Sequence, residues 1–152
     1  MRCSTNNWGR EQAVLNASSG GAGPLPIITT LFADPLNIVS TSIDTRNMVS
    51  ANNLLTFTSI ISLPLGISVT LNFQIRRTSS DGTNANVGST YTFSTLVDVL
   101  EAEAFSFQFF DANVTPDFYT YSIELSTNSV IDFTPGLTIQ NAVLSILSVA
   151  NN

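Results

Sequence analysis

A chain of 152 residues has room for one domain with a substantial core and a tail. Charged side chains make up only 11% of it and hydrophobic ones 43%, which excludes disorder by composition, and the net charge of −6 excludes a basic nucleic-acid stripe. The five cations are all arginines, and neither lysine nor histidine occurs, so Schiff-base and phosphate-clamp lysines, a Ser-His-Asp triad and histidine metal sites are excluded as well.

About a third of the chain is Ser, Thr or Asn. Its polar faces are therefore expected to carry neutral hydroxyls and amides in place of charge. A β-rich protein with so little charge is weakly defended against association. That composition points to association as a purpose.

Residues Met1 to Pro24 are small and polar and end in Ser18-Ser19-Gly20-Gly21-Ala22-Gly23-Pro24. This is linker composition. Residues 1–24 are read as a flexible or donor-type connector, with Cys3, Trp8, Val14 and Leu15 as its assembly contacts on a neighbouring copy. Cys3 is either an incidental thiol or one half of an intermolecular disulfide. Met1 to Asn7 has no apolar h-region, so no Sec signal peptide is expected, and no apolar run is long enough to span a bilayer.

Residues 25–152 read as strands. Leu25 to Phe32 is apolar, with Pro26 at an edge-tolerant place. Asn37 to Ile43 alternates, Asn47 to Asn53 is loop-like, and Leu54 to Leu63 puts Leu55, Phe57, Ile61 and Leu63 on one face. Ile67 to Ile75 alternates strictly, with Ile67, Val69, Leu71, Phe73 and Ile75 against Ser68, Thr70, Asn72 and Gln74. Thr78 to Gly88 is turn chemistry around Asp81-Gly82, and Ser89 to Leu96 alternates through Tyr91 and Phe93. Leu96 to Glu103 is ambiguous between a helical turn and a bent connection. Ala104 to Phe110 aligns Phe105, Phe107 and Phe109. Asp111 to Asp117 reads as a loop, and Phe118 to Ser126 aligns Tyr119, Tyr121, Ile123 and Leu125. In Leu137 to Val149 the alternation slips near Asn141-Ala142, which predicts a bulge or burial on both faces. About eight strands separated by turns, several by long loops, predict an all-β jelly-roll sandwich of antiparallel strands.

Little in the chain carries chemistry. Glu101 and Glu103 would share a strand face, but a solvated acidic rim is favoured over an acid/base or Ca²⁺ pair. Asp111, Asp117 and Asp81 are possible cation ligands without a matching motif, and no cofactor or metal is expected. Tyr91, Tyr119 and Tyr121 fit core or interface packing better than a sugar platform. Asn16-Ala17-Ser18 and Asn113-Val114-Thr115 match the glycosylation sequon as expected by chance in an Asn-rich chain.

From Val39 onward the strands resemble a family of small β domains of unknown function found in clostridia and other spore formers. The likeness lies in LLTFTSII (Leu54–Ile61), ISVTLNFQI (Ile67–Ile75), FSFQFFD (Phe105–Asp111), YTYSIEL (Tyr119–Leu125) and IQNAVLSIL (Ile139–Leu147). Members are often cysteine-rich where this chain runs Phe109 to Tyr119, and here that stretch has none. A connector joined to a jelly roll is also similar in architecture to endospore appendage subunits. The resemblance implies a non-enzymatic, self-assembling fibre or surface subunit, extracellular or on the spore surface. Its partners would be copies of itself, with a surface glycan or another spore-surface protein also possible. The alternative is an adhesive or carbohydrate-binding jelly roll, with a trimer as one form it would take.

Overall fold

The period-two segments assemble into two sheets. The computed structural model describes residues 12–25, 35–64, 68–96, 101–127 and 136–151. The strands are β1 (Ala13–Ala22), β2 (Leu36–Asp44), β3 (Ala51–Leu63), β4 (Ser68–Thr78), β5 (Asn84–Leu96), β6 (Glu101–Val114), β7 (Phe118–Thr127) and β8 (Thr138–Ala150). The first sheet has the order β1-β8-β3-β6 and the second β2-β7-β4-β5. All pairings are antiparallel and nested: β1 with β8, β2 with β7, β3 with β6, β4 with β5. A long hairpin wrapped around a barrel axis gives this order, and it is the jelly roll.

The inward halves of the alternating strands form one core. Leu55, Phe57 and Ile61 of β3 face Val69, Leu71, Phe73 and Ile75 of β4, all buried. Each such side chain contributes about 1.5–3 kcal/mol of transfer free energy. Phe57 reaches across to Phe73, with ring centroids 5.8 Å apart, and Phe73 reaches Phe105 at 4.8 Å. Ser59, the one polar residue on the inward face of this run, is buried and donates to the Phe105 carbonyl.

Several boundaries differ from the sequence reading. Ala13–Ala22, read as connector, is an edge strand of the chain's own first sheet, so the sandwich starts well before residue 25. Small residues suit this strand because it closes against β2: a Cβ on Gly20 would lie 2.2 Å from the Ile38 carbonyl oxygen. Pro26 to Phe32, read as the first strand, lies outside the described residues, while Leu25 is buried and its amide donates to the Leu137 carbonyl. Strand pairing extends into three segments read as loops, through Ala51–Asn53, Asn84–Gly88 and Asp111–Val114. Asn84–Gly88 is mostly exposed, whereas Ala51, Asn53 and Val114 are buried, so polar composition hid strands of both kinds. The slip at Asn141 is real: its φ is 50°, and the register of β8 shifts there against both β1 and β3. Asn tolerates that left-handed conformation better than most residues.

Candidate functional site: the outer sheet faces

The second sheet presents a polar outer face whose side chains pair with one another. Ser40 and Ser122, directly opposed on β2 and β7, are 2.9 Å apart, and Ser42 and Thr120 are 2.8 Å apart. On β4 and β5, Thr92 donates to Asn72 at 3.0 Å, Ser94 to Thr70 at 3.3 Å and Thr90 to Gln74 at 3.1 Å. Cross-strand pairs of this kind stabilise a sheet by a few tenths of a kcal/mol up to about 1 each. Charges also sit here: Arg76 pairs with Glu124 at 3.1 Å, and Arg46 pairs with Asp44 at the strand end. Hydrogen bonding from Arg46 lowers the Asp44 carboxyl to about 2.

The first sheet is different. Its outward positions alternate with the buried ones, and among the described residues none carries a charge. Hydroxyls and small residues fill most of them. One row does not fit that pattern: Leu15 of β1 opposes Leu147 of β8, Leu147 opposes Leu54 of β3, and Leu54 opposes Phe110 of β6. The row crosses all four strands. Leu15 is 66% exposed, Phe110 58% and Leu147 39%. Val149 and Val143 add to it along β8 and are also exposed.

At one end a polar cluster ties the sheets together. Arg77 on β4 donates to Asp111 Oδ2 on β6 at 2.7 Å, and Tyr121 on β7 donates to the same oxygen at 2.8 Å. Asn53 on β3 donates to the Tyr121 hydroxyl at 2.9 Å, and the Arg77 guanidinium lies over the Tyr119 ring at 5.3 Å. Burial, and then the Asp111 carboxylate, push the Tyr121 phenol upward. Asp111 is thus held by a structural partner and is not free for a cation. Asp117 accepts from the Ser80 hydroxyl and from backbone amides of Ser80 and Phe118, and these bonds lower its carboxyl.

The residues singled out from sequence disperse. Cys3 and Trp8 lie outside the described residues. Val14 packs against the core and Leu15 joins the exposed row. Glu103 is exposed on β6, as a rim position would be. Tyr119 and Tyr121 are buried, and Tyr91 stacks on Phe107 with centroids 3.9 Å apart, so the three make no open platform. Asn16 donates to the Ser42 carbonyl at 2.7 Å. Among the described residues no three His, Cys, Asp or Glu side chains converge as metal ligands.

These features define a jelly-roll β-sandwich with two unlike outer faces. The chain belongs to the family described as Domain of unknown function (DUF4489), whose model matches residues 11–149 and so takes in β1. No curated protein matches the sequence. Among solved structures, a chain of infectious bursal disease virus, Gx strain, is similar with a TM-score of 0.50 at 11% identity, covering 94% of this chain and 32% of that one. The VP2 subviral particle of the same virus gives 0.45 at 12% identity, covering 94% and 33%. The CBM22-1 xylan-binding domain of Paenibacillus barcinonensis Xyn10C gives 0.38 at 11%, covering 92% and 87%. This protein spans about a third of the length of the viral chains it matches. At such identities the likeness is one of fold alone.

Proposed function

We propose that this protein is a non-catalytic structural subunit that associates with copies of itself. The observation that carries the reading is the outer face of the first sheet, charge-free among the described residues and crossed by an exposed apolar row, on a chain whose net charge is −6. Soluble monomers seldom leave such a face open. The jelly-roll order is compatible with a packing module, because two sheets packed face to face leave their outer faces for contact.

The proposal extends to a fibre or appendage on an extracellular or spore surface; the surface setting rests on the resemblance of the strand sequences, and the fibre on the architectural likeness of a connector joined to a jelly roll. Within it, the docking segment contracts from residues 1–24 to residues 1–11, which carry Cys3 and Trp8, because β1 is already committed to its own sheet. The carbohydrate-binding alternative has less support, since two of its three tyrosines are buried.

Light scattering after size exclusion tests the reading. Particles of many subunits are expected. A 16.3 kDa species at every concentration would remove it. Deleting residues 1–11 tests the docking segment separately: assemblies as long and as abundant as those of the full chain would leave that segment without a role.

A further inference from the structure

We infer that the outer face of the first sheet is the contact surface and that its occupant is the same face of a second copy, an inference that rests on the self-association proposed above. Three observations select that partner.

The first is charge. This face is neutral among the described residues, while the opposite face carries Asp44, Arg76 and Glu124. Two copies with a net charge of −6 repel each other, and the neutral face brings them together with the fewest like charges in contact. A strongly cationic partner would have no acid to recognise there.

The second is symmetry. The row Leu15, Leu147, Leu54, Phe110 runs from one edge of the sheet to the other. A two-fold axis lying in the interface, along the strands and between Leu147 and Leu54, sets the row of one copy onto the row of the next. Leu15 then lies over Phe110, and Leu147 over Leu54. The face is thus complementary to itself, as an isologous contact requires.

The third is area. Four strands about 4.8 Å apart and about nine residues long at about 3.4 Å each cover roughly 600 Å². Two copies bury roughly 1,200 Å² together, at the lower end of what a specific interface needs. A contact of that size is reversible by itself, and because a two-fold contact closes on two copies, growth beyond a pair needs a second contact such as the proposed docking segment.

The test uses the full chain with Leu15→Lys and, separately, Phe110→Lys. Both positions are exposed, so folding should survive, and circular dichroism checks this. Thr92→Lys, exposed on the opposite face, is the control. Light scattering should show either row variant falling to smaller species, with at least a tenfold weaker self-association, while Thr92→Lys matches the wild type. Hydroxyl-radical footprinting of the wild type supplies a readout free of mutation: Leu15 and Phe110 should lose reactivity as concentration rises. Row variants that assemble like the wild type, with Leu15 and Phe110 still reactive, would overturn this interface and leave self-association standing by another surface. A wild type that is monomeric throughout would overturn both.

Discussion

Arg77 on β4 and Asp111 on β6 belong to different sheets and meet in a 2.7 Å ion pair, with Tyr121 donating to the same carboxylate oxygen. The two side chains are 27% and 12% exposed, so the pair is shielded from solvent more than a surface bridge is. It links the two sheets inside the sandwich, with Ile43, Val114 and Tyr119 of the core buried beyond it toward that end. Asn53, buried behind it, donates to Tyr121 and so depends on the same arrangement.

Removing one partner should therefore be costly. Asp111→Ala leaves the Arg77 guanidinium and the Tyr121 hydroxyl without their acceptor, and a loss of about 2–3 kcal/mol is expected. Asp111→Asn keeps an oxygen for Tyr121 and should lose only about 1–2 kcal/mol. Urea denaturation of the full chain measures both. If each lies within about half a kcal/mol of the wild type, the cluster is not a clamp.

The same cluster sets an alkaline limit. Burial raises the Tyr121 phenol above its usual value, and the nearby Asp111 carboxylate adds to the shift. The unfolded chain gives up this proton near about pH 10, while the folded chain holds it. Between those points the unfolded state binds fewer protons, so stability is complete below about pH 10 and falls as the pH rises further. Tyr121→Phe should lower stability at neutral pH and flatten the alkaline decline. Tyr91→Phe serves for comparison, since burial raises that phenol too. A decline of unchanged slope in Tyr121→Phe would assign the alkaline limit elsewhere.

Much of the sandwich could be read from the chain because alternation is a local property. Ile67 to Ile75 and Phe105 to Phe109 name their inward residues without reference to any partner strand. β1 could not be read that way. Its Ser and Gly content looks like linker, and only the approach of Gly20 to Ile38, on a strand of the other sheet, gives those small residues a structural reason. The exposed row was hidden for a related cause, since Leu15 and Leu147 become neighbours only through pairing. A trace of it was present all the same. Val14-Leu15, Leu54-Leu55, Phe109-Phe110 and Ile146-Leu147 are apolar doublets in otherwise alternating strands, and in each doublet one member must face outward. The polar clamp left no such trace, because Arg77 directly precedes the stretch read as a turn and Asp111 opens the stretch read as a loop.

The close approach at Gly20 makes β1 separately breakable. Gly20→Val would place a Cβ 2.2 Å from the Ile38 carbonyl oxygen and 3.0 Å from Val39 Cβ. Backbone stands in the way, so β1 must move outward, at an expected cost of about 1–3 kcal/mol. Hydrogen exchange should show lost protection across Ala13–Ala22, with β3 and β7 still protected. Gly82→Ala is the contrast: its Cβ would meet nothing within 4 Å, and its φ of 86° should cost about 1–2 kcal/mol in the turn alone. Full protection of β1 in Gly20→Val would mean that the strand does not close on β2 as described.

The doublet at Leu54-Leu55 gives the most direct check on register. Leu55 faces the core and is 1% exposed, whereas Leu54 lies half-buried on the outer face between Leu147 and Phe110. Leu55→Ala should cost about 2–5 kcal/mol, because it opens a cavity among packed side chains. Leu54→Ala should cost about 1 kcal/mol or less in dilute solution, where no second copy covers it. A slip of β3 by one residue would exchange the two positions and invert that order. Denaturation of both variants at low concentration decides it, and a larger loss from Leu54→Ala would refute the pairing of β3 with β8 and β6 on which the exposed row depends.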